Sequence, residues 1–182
     1  MTDFKTLLAG ARLPEATVPV CLRGDLTAEF EDLERQLDQA QRETTASLED
    51  VTAAAGIAER MEQVRQDMLQ HTYQFRLRAM PRPAWRAFIA QHPPRKDDES
   101  GAIVEQDRGV GVNTETFFDE LVRRSVVDPE LTEDEWKLLL DQALTDRQFD
   151  TLANAAWGLN RRDIDVPFSL AASRMTRSSA TE

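Results

Sequence analysis

Few residues in this chain carry reactive or metal-ligating side chains. His71, His92 and Cys21 are the complete set of imidazole and thiol groups. A zinc site needs convergent donors, and these three lie far apart with no shared ligand spacing. His71 falls on an apolar helical stripe, where a packing or interface role fits better than ligation. His92 directly precedes Pro93-Pro94 and reads as a helix-end residue, not a general base. "GVGV" at 109–112 lacks both the lysine and the strand-to-helix context of a phosphate loop. The acids of "TEDEW" lack the alternating ligands and central glycine of a calcium loop; they suit the positive end of a helix dipole. Cys21 sits in a strand-like run and reads as a small buried apolar residue. No acid, base and nucleophile converge, so the expectation is a protein without catalytic residues, cofactor or metal.

The one concentrated chemical feature is basic. "FRLRAMPRPAWRAFIAQHPP", residues 75–94, carries Arg76, Arg78, Arg82 and Arg86, and Arg95 and Lys96 follow. No acid lies between Asp67 and Asp97. Guanidinium groups recognise carboxylates and phosphates with paired N–H donors. The chain as a whole carries a formal charge of -11, and its pI is near 4.7. Such a field repels phosphate backbones, which argues against a nucleic-acid partner. Trp85 and Phe88 are also better placed as core than as a base-stacking platform. The first reading is therefore that these arginines pair with the chain's own carboxylates, for example in segment 128–150. The second is that they dock an acidic or helical protein.

The surrounding elements must position that cluster. At 182 residues, 41% hydrophobic and 30% charged, the chain suits one ordinary domain with extensions. A single cysteine excludes an intrachain disulfide and makes a reducing cytosol the easier setting. No run is long enough for a signal-peptide core or a membrane span.

Residues 1–24 read as an extended segment. Val18, Val20 and Leu22 alternate before Gly24-Asp25, and Pro19 demotes that strand to a sheet edge. Residues 25–79 read as a helical hairpin. Leu26, Phe30, Leu33, Leu37 and Ala40 step as a coiled-coil seam. After "ETTAS" the stripe resumes through Ile57, Met61, Val64, Met68, His71 and Phe75. The arms predicted this way are unequal, roughly 27 Å and roughly 46 Å. The far end of the second arm then needs another cover, either from the chain's own second half or from a partner.

Residues 80–160 read as a small helical bundle. Pro83 suits a first helical turn, and Trp85, Phe88 and Ile89 share a face. Residues 95–112 read as a mobile, glycine-bearing loop. Asn113 can cap a helix bearing Phe117, Phe118, Leu121 and Val122, and Asp128-Pro129 marks a turn. Thr132 with Glu135, and Thr145 with Gln148, are capping boxes, each followed by apolar residues at helical spacing. Residues 161–182 read as a flexible tail. The fold class expected is mainly α: a short N-terminal strand, a long antiparallel coiled-coil hairpin, a small C-terminal bundle and a tail.

Several pieces together resemble the tail assembly chaperones of long-tailed phages and prophages of actinobacteria. They are "TVPVCLRGDL" (17–26), "FRLRAMPRPAWRAFIAQHPPR" (75–95), "VNTETFFDELVRRSVVDPELTEDEW" (112–136), "LTDRQFDTLANAAWGLNR" (144–161) and "DVPFSLAASRMTRSS" (165–179). No piece is a mechanistic motif; their order carries the likeness. The resemblance implies a non-enzymatic role in the host cytoplasm. Such proteins bind the tape measure protein, keep it soluble while tail tube subunits polymerise around it, and are absent from the mature particle. The tail tube protein and further copies of the chain are possible additional partners, and the C-terminal tail is where a frameshifted longer form would join. The partner groove expected from the residues comprises Ile57, Met61, Val64, Met68, His71, Phe75, Arg76, Arg78, Arg82, Trp85 and Phe88. The competing reading is a structural tail or capsid component retained in the particle, its edge strand pairing between subunits.

Overall fold

In a computed structural model, residues 3–43 and 48–162 are described. They are mostly helical, with one small antiparallel sheet. A short helix, α1 (Phe4–Ala9), precedes strand β1 (Glu15–Cys21). Two long helices follow, α2 (Gly24–Glu43) and α3 (Leu48–Gln70), and then strand β2 (Thr72–Arg78). Next come α4 (Arg82–Gln91), α5 (Glu105–Arg108), α6 (Thr114–Ser125) and strand β3 (Val126–Asp128). Helix α7 (Glu133–Leu138) runs through a π-helical turn at Leu139–Ala143, and α8 (Asp146–Arg161) completes the order.

The strands order β1-β2-β3, all antiparallel, with β2 central. The expected edge strand is present, and its partner is β2 of the same chain, Val18 opposite Phe75. Leu22 N–H donates to His71 O, and Ala79 N–H donates to Pro14 O. Even-numbered residues of β1 therefore turn their backbone groups toward β2, and odd-numbered ones face the open side. Pro19 is odd, so its missing N–H falls on the open edge, where no ladder bond is lost.

Among the described residues the helical reading of 25–79 holds to Gln70 and fails beyond it; most of the expected break at "ETTAS" lies outside them. Thr72–Arg78 is a strand, with Phe75 and Leu77 buried and Gln74, Arg76 and Arg78 exposed. The spacing from His71 to Phe75 fits a helix, but Phe75 and Leu77 are also period two, and pairing on both sides of β2 decides for the strand. The long helices are consequently close in length, 20 and 23 residues, or about 30 and 35 Å. The expected mismatch between the arms is thereby reduced to three residues.

One core joins sheet and helices. Val18, Val20, Phe75 and Leu77 pack with Phe88, Phe117, Leu121, Val122, Trp136, Leu152 and Ala156. The strands and helices α4, α6, α7 and α8 thus share a single apolar interior. At its centre Phe88 and Phe117 lie 4.8 Å apart, and Trp85 meets Phe117 and Trp157 edge-on. Each fully buried ring of this kind contributes about 1.5–3 kcal/mol over its exposed state.

Candidate functional site

The sequence-predicted groove residues divide among three places. Ile57, Met61, Val64 and Met68 lie on α3, on the stripe that faces α2. Val64 is fully buried, and the other three are half-buried. Phe75 and Phe88 are in the core, with Trp85 packed against it. His71, Arg76, Arg78 and Arg82 are exposed. No single groove brings these residues together, because β2 turns Phe75 inward while Arg76 and Arg78 point out.

Helices α2 and α3 pack against each other along their apolar stripes. Leu26 is buried, and Phe30, Leu33, Leu37 and Ala40 are half-buried, as are Ala54 and Ile57 opposite. Glu29 and Arg60 bridge the two helices, with Arg60 Nε 2.9 Å from Glu29 Oε1. At the base, Cys21 Sγ lies 3.7 Å from Met68 O. These contacts make the pair antiparallel. Its extensive packing is internal, so it forms an arm with a half-covered apolar seam. Two helices alone cover about one side of each other's stripe, and full burial needs a third.

The arm is strongly acidic. Helices α2 and α3 hold twelve acids against four bases, a net -8 of the chain's -11. Glu62 is held down to about 2 by Arg65 and Gln66, and Asp25 to about 2 by Arg23.

The basic cluster is divided. Arg78 bridges Glu15 at 2.6 Å, and Arg95 bridges the fully buried Asp107 at 2.9 Å. Both partners are the chain's own carboxylates, as the first reading expected, but neither lies in segment 128–150, the example it gave. Among the described residues Arg76, Arg82, Arg86 and Lys96 form no ion pair.

Asp107 is the functional-group surprise. Residues 95–112 are not a featureless loop: Lys96 bridges Ile103, α5 follows, and Val112 is buried. Asp107 accepts from Arg95 Nε, Arg95 Nη2 and Arg95 N–H, and from Thr114 N–H and Oγ1. Donation from Arg95, then from the Thr114 groups, holds its carboxyl far below the usual range, against the opposing effect of burial. Arg95 is raised in turn. The arrangement is a latch across the segment, with every carboxylate lone-pair direction occupied and none left for a substrate.

The histidines are likewise engaged. His71 Nδ1 lies 2.7 Å from Asp67 O at the end of α3. His92 caps α4, with Nδ1 3.0 Å from Thr116 Oγ1 and its ring against Phe88 and Phe117. Among the described residues no cluster of His, Cys, Asp and Glu could hold a metal, and no helix is long and apolar enough to cross a membrane. No family model matches the chain, and no curated protein or solved structure matches it.

Proposed function

We propose that this protein is a non-enzymatic holdase for a long helical partner, working as a phage tail assembly chaperone on the tape measure protein. The observation that carries this reading is the arm: an acidic antiparallel helix pair whose described seam residues, apart from the buried Leu26 and Val64, are only half-buried. On this reading the pair acts as a coiled-coil hairpin that gains its third helix from the client. A tape measure presents apolar helical stripes over a great length, so many copies can bind side by side. The high net negative charge keeps such a crowded assembly apart by mutual repulsion.

The groove expected from the residues is accordingly relocated. Ile57, Met61 and Met68 stay in it, joined by Phe30, Leu33 and Leu37 of α2, while Phe75, Trp85 and Phe88 support the body. The exposed Arg76 and Arg82, with Arg86, remain available for acidic segments of the tail tube protein or of another copy. The competing reading as a retained structural component loses its main argument, because β1 is paired within the chain and Pro19 blunts its open edge.

The test is co-expression with a long tape-measure-like protein encoded beside this chain, followed by affinity purification. Solubilisation and co-purification support the holdase. An insoluble client with this chain eluting alone overturns it, and abundance of the chain in purified particles favours the structural reading.

A further inference from the structure

The large apolar side chains left exposed are not scattered. Among the described residues there are nine, and seven of them sit at the two ends of the β1–β2 pair. At the Glu15 end are Leu13 and the α1 stripe of Phe4, Leu7 and Leu8, with Phe4 71% and Leu8 62% exposed. At the Cys21 end are Leu22, Leu69 and Tyr73. A helix of six residues is marginal alone in water and needs a surface to lie on. The far patch of its own chain is out of reach. Ala79 N–H donates to Pro14 O, and Ala11 N–H bonds back to Leu8 O. These bonds keep α1 within roughly 15 Å of Pro14, whereas Leu22 lies about 26 Å from Pro14 along the strand.

The two ends differ in shape and in charge. Helix α1 has no buried residue and carries Lys5, with Arg12 just after it. Asp3 is the only acid beside them, and neither cation forms an ion pair among the described residues. The Cys21 end is a hollow of about 300 Å³ lined by Leu22, Arg23, Gln70, His71, Thr72 and Tyr73. Arg23 is already held by Asp25 at 2.6 Å. Two exposed carboxylates border the hollow: Asp67, close enough to act on Arg23, and Asp128, which accepts from the Tyr73 hydroxyl at 3.4 Å. Neither forms an ion pair among the described residues.

We infer that α1 of one copy of this chain docks in the hollow of a second copy. Phe4, Leu7 and Leu8 then leave water against Leu22 and Tyr73, and Lys5 and Arg12 meet Asp67 and Asp128. Charge rejects both self-pairings, since helix on helix brings cations together and hollow on hollow brings carboxylates together. The contact is therefore between unlike surfaces, each present once on every copy. The seam of the arm takes no part in it, so this contact stands or falls separately from the holdase.

Patches of this size make a small interface, so association is expected above about 0.1 mM. Sedimentation velocity of the full chain should show its mass rising between about 0.01 and 1 mM. Phe4→Asp and Lys5→Glu alter the helix, and Leu22→Asp and Gln70→Lys alter the hollow. All four change exposed residues, so circular dichroism should be unchanged. Each variant alone should associate at least about tenfold more weakly. The deciding sample is an equimolar mixture of Phe4→Asp and Leu22→Asp. The first keeps an intact hollow and the second an intact helix, so the mixture should form a 1:1 dimer that neither variant forms alone.

A wild-type chain that stays monomeric at about 1 mM overturns the inference. So does a dimer formed by Phe4→Asp alone or by Leu22→Asp alone, because either would be a self-pairing. A mixture that stays monomeric while the wild type associates overturns it as well.

Discussion

Gln148 ties a helix cap to a strand edge 127 positions away in sequence: its Nε2 donates to Cys21 O at 2.7 Å. Its Oε1 accepts from Thr145 N–H at 3.0 Å, completing the capping box of α8. Cys21 O faces the open side of β1, so the same side chain that starts α8 also covers one carbonyl of the sheet edge.

Gln148→Ala removes both bonds and should cost about 1–2 kcal/mol in urea unfolding. Gln148→Glu keeps the acceptor for the cap and loses the donor to Cys21. It should therefore cost less than the alanine variant, and a double-mutant cycle with Thr145→Ala assigns the remainder.

The Asp107 latch predicts an acid-labile step. The native carboxyl stays ionised far below the unfolded value of about 3.9. As pH falls past that value, the unfolded chain takes up a proton that the native chain refuses, so stability declines. Above about pH 5 this contribution is complete and flat. Asp107→Asn leaves Arg95 without its partner and should lower the melting temperature at pH 7 by about 10 °C. The gap between wild type and variant should narrow steadily below about pH 4, as followed by thermal melts across a pH series.

Phe88 is fully buried between Trp85, His92 and Phe117. Phe88→Ala should destabilise by about 3–5 kcal/mol. Denaturant midpoints measured by tryptophan fluorescence check this, since Trp85 reports from the same cluster.

Arm and body should open independently. Seam residues beyond Leu26 and Val64 are only half-buried, whereas the core holds several residues with no exposure at all. Amide exchange should be fast in 28–43 and 48–60 and slow in β2, α6 and α8. Addition of a bound client helix should slow the arm alone.

Pro19 guards the outer edge. Pro19→Thr restores an outward N–H without touching the ladder to β2. It should raise the tendency to self-associate through β1, measured by light scattering against concentration.

Much of the helical content was legible because it rests on local period and local caps. Asn113 caps α6 through Glu115 N–H, and both capping boxes are formed as their spacing predicts. The apolar stripe of α2 is likewise its more buried side. Strand β2 was not read, because one phenylalanine serves both periods, and a neighbouring strand on each side decides the outcome. The alternation of Phe75 and Leu77 with Gln74, Arg76 and Arg78 was the available signal. The Arg95–Asp107 pair was invisible for another reason: an aspartate in a charged, glycine-bearing run has nothing local to mark it as buried.

Strands β1 and β2 are consecutive, antiparallel and directly paired, so everything from Leu22 to His71 is topologically a hairpin loop. The arm is an insertion, and the sheet does not need it to choose its register. Lengthening it by whole turns, or replacing it with a two-residue turn, should leave the strand ends where they are. Reach and chassis can therefore be altered separately: arm length is free to change while the body that carries it stays constant.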